Sequence, residues 1–466
     1  MANYISILSS WNAAMNMSYT SPRENKIVRI FDKHKILIFF VPFMIYMANG
    51  REIGGGDTTP AAFVAIEFVK KGSVFLDDLH DYIPYNKTPS YISEQRGHVV
   101  SNYPLFPGIM AAPIFAPFVW LGMIEKGDGD LVWNYLSKLS GAVFTALAGV
   151  FMTLTLRRLI GMGGALALGT AYTLGTALWP IASQSLWQHG PSVLWWSVCF
   201  YALIRVESAA EKQERGWFLL LAGIAAGAAV LCRTVNGAGA VVLCLAAFYR
   251  YRLPAWRFVL PAVVLTFILI SYNYSIFGSW KGGDMVLHSL NWELNRVRGE
   301  PFSTPFLFGL AGQTISPSRG MFVFSSFLLF SLWGMAAIWK QPDPRWRIFA
   351  LTIPAPLIML IVFSKFIIWW GGNAHYGPRY QIEMYPFLII YLAAVWPRIA
   401  SCKPLLYTFI LLLVYSIFVQ WIGAFCYPSG WAVEPISVSL DYSRYWDWKY
   451  NQIWSCLKSG IKSPFS

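Results

Sequence analysis

Apolar residues run along this chain in long blocks, with the polar residues gathered in the gaps between them. A bilayer core about 30 Å thick needs roughly 20 apolar residues as a helix, because the backbone there must satisfy its own hydrogen bonds. Runs at 36–49, 135–156, 162–181, 191–208, 216–232, 235–249, 257–277, 320–339, 347–366, 380–397 and 404–424 meet or approach that requirement. The pattern predicts an all-α, polytopic membrane helical bundle of about 11 transmembrane helices, within a range of roughly 10 to 13.

Basic residues mark which ends of the runs share a side. Arg157/Arg158, Lys212/Arg215, Arg250/Arg252/Arg257, Lys340/Arg345/Arg347 and Arg398/Lys403 all fall with the basic N-terminus, which carries Arg23, Lys26, Arg29, Lys33 and Lys35. The positive-inside rule makes that side cytoplasmic. Residues 105–123 would invert every later loop if they crossed, so they are expected to lie at the outer interface, a reading that Pro104, Pro107, Pro113 and Pro117 favour. The chain then reads as a single transmembrane domain over 1–466, with a first outer loop 50–134 carrying juxtamembrane helices, an outer loop 278–319 and an outer tail 425–466.

Composition excludes several classes. The 466 residues are 56% hydrophobic and 13% charged, whereas soluble domains carry about 25% charged residues. A net charge of +13 suggests a nucleic-acid partner only if the basic residues cluster on one soluble face, and here they punctuate apolar runs. The six cysteines form no CxxC or Cys/His pattern. Cys426 and Cys456 share the polar tail, where an oxidising compartment would permit a disulfide.

Candidate chemistry collects in the outer segments. Gly54-Gly55-Gly56-Asp57-Thr58-Thr59-Pro60 places a carboxylate directly after a membrane helix. Asp57 reads either as a helix cap or as a base that takes a proton from an attacking alcohol. Asp77 and Asp78, beside His80 and Asp81, read as a solvated turn or as oxygen ligands for a divalent metal. The turn from Lys365 to Tyr380 carries His375, Tyr376 and Arg379, and Arg319 ends the run Ser316-Pro317-Ser318-Arg319. A guanidinium at an outer helix end runs against the positive-inside rule but suits a phosphate, so Arg233, Arg319 and Arg379 are expected to form one anion-binding pocket. Most charges of the loop 278–319, namely Lys281, Asp284, His288, Arg296 and Arg298, are expected to be solvated. His189 seals a helix end or serves the site.

Several of these segments, in this order, resemble one known group. Gly56-Asp57-Thr58-Thr59-Pro60, Asn102-Tyr103-Pro104-Leu105-Phe106-Pro107 and the Leu139–Leu147 run before Arg157-Arg158 are similar to the C-type glycosyltransferase (GT-C) superfamily. Tyr272-Asn273-Tyr274, Phe277-Gly278-Ser279, Ser316-Pro317-Ser318-Arg319-Gly320, Tyr376-Gly377-Pro378-Arg379-Tyr380 and Arg444-Tyr445-Trp446-Asp447-Trp448 resemble its branch of protein O-mannosyltransferases, lipid A aminoarabinose transferases and related bacterial membrane proteins. The resemblance implies an inverting transfer of a sugar from a polyprenyl-phosphate donor to a hydroxyl of a glycan, lipid or protein. It implies Asp57 as general base, a second acidic position at Asp77 or Asp78 with a divalent metal left open, and Arg319, Arg379, Arg233 and His375 on the donor phosphate. Tyr103, His189, Tyr376 and Lys281 are then expected to line the substrate pocket, outside a bacterial inner membrane. The adjacent Asp-Glu pair of the mannosyltransferases is missing, since Thr58 follows Asp57. A transporter or flippase for a lipid-linked sugar, and a ligase moving a whole lipid-linked glycan, stand as alternatives. Spans almost free of charge at their centres speak against transport.

Overall fold

The computed structural model describes residues 33, 36–79, 91–124, 130–283 and 300–463, and all eleven apolar runs fold as helix within them. His80, Asp81, Asp284, His288, Arg296, Arg298 and the basic N-terminal residues Arg23, Lys26, Arg29 and Lys35 lie outside the described residues. In chain order the main helices are α1 Leu37–Met47, α2 Thr59–Lys71, α3 Phe106–Trp120, α4 Asp130–Leu174, α5 His189–Ser208, α6 Lys212–Cys232, α7 Asn236–Tyr251 and α8 Trp256–Phe277. They continue with α9 Phe306–Ile315, α10 Met321–Phe324, α11 Leu329–Ala337, α12 Trp346–Ala350, α13 Pro354–Lys365, α14 Tyr385–Ser401, α15 Lys403–Cys426 and α16 Gln452–Ser459.

Six helical stretches among the described residues are long and apolar enough to cross a membrane: Val132–Leu174, Lys212–Cys232, Leu253–Phe277, Trp346–Lys365, Ile382–Ser401 and Lys403–Cys426. The first contains both runs expected at 135–156 and 162–181. Gly161, at φ 77°, reverses the chain inside it. A Cβ added to Gly149 would meet Thr173, and one added to Gly169 would meet Thr153, so the two arms pair antiparallel about Gly161. Small residues set other crossings just as closely: a Cβ on Gly334 would run into the Tyr391 carbonyl oxygen.

One expected span is interrupted and another is tightened. The run 320–339 divides at Ser325, whose φ −138° and ψ 63° leave the helical region while its hydroxyl donates to the Gly175 carbonyl. The run 347–366 stays helical but tightens to i→i−3 bonds at Thr352, Ile353 and Ala355, around Pro354, which has no N–H to donate. At 15 residues α3 is about 22 Å long and falls short of a bilayer core.

The loops segregate to two ends. At one end Arg345 donates to the Arg158 carbonyl, and Arg250 pairs with Glu207. At the other, Ile53 N–H donates to the Gln184 carbonyl, Asn49 donates to Gln184 and to the Ala424 carbonyl, and Arg51 donates to the Tyr427 carbonyl. A small hairpin, β1 Ile92–Gln95 paired antiparallel with β2 His98–Ser101, adds an element that the apolar runs do not announce. Its two-residue turn, Arg96 and Gly97, has both φ angles positive, as the twist of paired strands favours. The hairpin also fixes the Tyr103 segment, through the Asn102 N–H bond to the Tyr91 carbonyl.

Candidate functional site

The loop after α1 turns back at once. Thr58 hydroxyl donates to the Gly55 carbonyl, and α2 begins at Thr59 with Pro60 in its first turn. No side chain caps that helix. Asp57 therefore does not spend its carboxylate as a cap. It is buried, and its Oδ2 accepts from Nη2 of Arg379.

Arg379 comes from the loop between α13 and α14, where Gly371 (φ 87°) and Gly372 (φ 98°) take the left-handed conformation that L side chains rarely adopt. That turn exposes two consecutive carbonyls to two different arginines. Arg379 Nη1 donates to Gly371 at 3.4 Å, and Arg319 Nη2 donates to Gly372 at 3.5 Å. The Arg379 guanidinium also lies 4.5 Å from the centre of the Trp187 ring, and Trp187 is held by its own bond to the Ile53 carbonyl. The Asp57 carboxylate raises the Arg379 pKa above its ordinary value against the lowering effect of burial.

Behind Arg379 the polar contacts continue. Its Nε donates to Nε2 of His189 at 3.1 Å, Nδ1 of His189 lies 2.8 Å from Glu383, and Arg233 pairs with the other oxygen of Glu383. Arg233 also stands over the stacked rings of Phe363 and Tyr380. Five side chains thus form one connected line: Asp57, Arg379, His189, Glu383, Arg233. Tyr103 borders it, for Asp57 and Arg379 both act on its hydroxyl, whose pKa burial raises well above the ordinary tyrosine range.

The remaining expected site residues have other partners or none in that line. Arg319 is 1% exposed, and its donors go to the carbonyls of Trp370, Ser318 and Gly372 and to Gln452. With Trp431 and Tyr445 against its faces, it fastens the tail to the glycine turn. Tyr376 turns into the bundle and donates to the Val419 carbonyl, packed on Phe324. His375 is buried close to both arginines. Burial first, and then the charges of Arg319 and Arg379, push its pKa well below the ordinary value. Lys281 is exposed on the ring of Trp280, while neighbouring Gly283 packs against Asn102.

Asp77 and Asp78 lie past the far end of α2, a helix of 13 residues and about 20 Å that begins beside Asp57. Asp77 accepts from the Val99 N–H and pairs with His98, whereas Asp78 pairs with Lys71. The two carboxylates face different partners and do not fit a shared cation. Among the described residues no group of three or more His, Cys, Asp or Glu is placed to hold a metal ion. Cys426 and Cys456 share one apolar cluster as free thiols.

Glu383 is the functional-site residue that the apolar pattern concealed. It is the one carboxylate of the run 380–397. Its signal was its cost, since an acid inside a membrane-length apolar segment is expensive and marks a site by default. Glu52, in the loop after α1, is a further acid beside the site: it bonds Ser185 and the Gly54 backbone, and burial raises its pKa.

No family model matches the sequence, and no curated protein does. Among solved structures, the Archaeoglobus fulgidus oligosaccharyltransferase tethered to an acceptor peptide with an NVT sequon superposes with a TM-score of 0.52 at 12% identity. The match covers 90% of this chain and 59% of that one, so this chain spans well under two thirds of the archaeal protein. ArnT from Cupriavidus metallidurans bound to undecaprenyl phosphate gives a TM-score of 0.49 at 16% identity, covering 92% of this chain and 70% of that one.

Proposed function

We propose that this chain, which has the GT-C membrane fold, is a glycosyltransferase that moves a sugar from a polyprenyl-phosphate donor to an acceptor hydroxyl on a glycan, lipid or protein. The observation that carries the reading is the Asp57–Arg379 pair, a buried carboxylate and a guanidinium held together where the helices give way to loops. In the reaction, the acceptor oxygen attacks the anomeric carbon and the bond from that carbon to the phosphate oxygen breaks. The hydroxyl proton passes to Asp57, and the polyprenyl phosphate leaves with its charge on Arg379. Attack from the face opposite the phosphate inverts the sugar.

The guanidinium has five N–H groups, of which His189, the Gly371 carbonyl and Asp57 take three, leaving two for phosphate oxygens. A donor phosphate on those two N–H groups shares the guanidinium's positive charge with Asp57 and so weakens its hold on the carboxylate. Trp187 and Tyr103 supply aromatic walls for a sugar ring. The transfer side is taken to be the outer face of a bacterial inner membrane, opposite the basic clusters.

The test is incubation of the purified protein with polyprenyl-phosphate sugars and candidate acceptors, with product mass as readout. Asp57→Asn is expected to abolish transfer without unfolding the protein. Equal product from the variant and the wild type overturns the role of Asp57, and labelled substrate crossing proteoliposomes with no covalent product overturns transfer itself. A mass increase of one sugar, as against a polymer, separates this activity from a ligase.

A further inference from the structure

A general base needs one oxygen free to take a proton, and a guanidinium beside it tends to occupy both. Arginine and carboxylate prefer two parallel hydrogen bonds, fork to fork. Here the Asp57–Arg379 bond uses only Nη2 and Oδ2. On the other edges of the guanidinium, the single N–H of Nε, which a side-on fork with Nη2 needs, is committed to His189, and one of the two N–H groups of Nη1 goes to the Gly371 carbonyl. Oδ1 of Asp57 stays out of the pair.

The His189 contact has a definite polarity. A guanidinium only donates and a carboxylate only accepts. Nε2, facing Arg379, must therefore carry the lone pair, and Nδ1, facing Glu383, must carry the proton. Arg233 Nη1 also lies 3.3 Å from Nδ1, but a nitrogen that donates to Glu383 has no lone pair to offer it. The partner of one ring nitrogen selects the state of the other. His189 and Glu383 are 1% and 0% exposed, so water does not scramble this order.

We propose that Glu383 and His189 are positioning residues: Glu383 holds His189 as the neutral Nδ1–H tautomer, whose Nε2 lone pair ties down Arg379 and keeps it from closing a two-pronged fork on Asp57. The consequence for catalysis rests on the transferase reading, but the tautomer and the restraint do not.

Two measurements test it. In 15N-histidine-labelled protein, with the signals assigned by their loss in His189→Gln, Nδ1 of His189 is expected to be protonated and Nε2 unprotonated; the reverse tautomer or an imidazolium overturns the proposal. For affinity toward decaprenyl phosphate, His189→Gln, whose amide oxygen reaches the level of Nε2, is expected to stay within about threefold of wild type. His189→Asn, which reaches only the level of Nδ1, is expected to lose about tenfold or more. Equal affinities in the two variants overturn the restraint on Arg379. If wild type binds no polyprenyl phosphate while the ring shows the expected tautomer, the transferase reading fails and the positioning role stands. Wild-type turnover with the tautomer reversed is the opposite outcome.

Discussion

Asp57 and Arg379, 322 positions apart, meet through one oxygen and one nitrogen and not through a fork. That single contact restrains the carboxylate while leaving half of it available. Asp57→Asn keeps the shape and still accepts from Arg379, so the loss of stability is expected to be about 1–3 kcal/mol, below the roughly 3–5 kcal/mol of a buried pair broken outright. Transfer is expected to fall by about 10²–10⁴-fold. Thermal unfolding and product yield measured on the same preparation separate the two effects.

Arg319 differs from Arg379 in having neutral acceptors and aromatic faces as its partners among the described residues. Arg319→Lys cannot reach several carbonyls from one ammonium and is expected to free the tail after Tyr427. Hydrogen exchange over 427–463 should rise in that variant while Arg379-dependent binding of decaprenyl phosphate weakens less than about threefold. A total loss of lipid binding with an unchanged tail would return Arg319 to the phosphate site.

Asp77 and Asp78 sit at the exposed end of α2, away from Asp57. Asp77→Asn and Asp78→Asn are each expected to change stability by no more than about 0.5–1 kcal/mol and to leave the transfer rate near wild type. A collapse of the rate in either variant would restore the second acidic position to that pair.

His375 carries the clearest pH signature outside the membrane segments. Its pKa is depressed in the folded protein by burial and by the two arginines, so the unfolded chain takes up a proton first as the pH falls. The stability it contributes is complete above the unfolded value of about 6.5 and is lost as pH drops below that toward the folded value. Melting temperatures at pH 7.5 and 5.5 should differ more for wild type than for His375→Gln. Identical pH dependence in the two proteins would exclude this histidine as the cause.

Much of the architecture was legible before any coordinates. Crossing a membrane is close to an additive property of a segment's own side chains, so the apolar helices follow from sequence, six of them among the described residues long and apolar enough to cross. Asp57 stood out for the same kind of reason, as a carboxylate next to glycines directly after a helix. The break at Ser325 and the tightened turn at Pro354 were less visible, because a run's mean apolarity hides single residues that depart from the regular ladder.

The partners were decided by the tertiary structure. Arg319 and Arg379 look alike in sequence, each a guanidinium beside a glycine or proline turn, yet one fastens the tail and the other meets Asp57. Tyr376 and Arg379 are three positions apart, and one turns into the bundle while the other faces the site. Glu383, inside an apolar run, gains its role only when the turn Ile382–Met384 before α14 brings it against the first residue of α5. The sequence by itself determined which segments are apolar enough to form membrane helices and which polar residues lie between them. Which cation meets which anion depends on distances between segments hundreds of residues apart, and helix packing alone sets those distances.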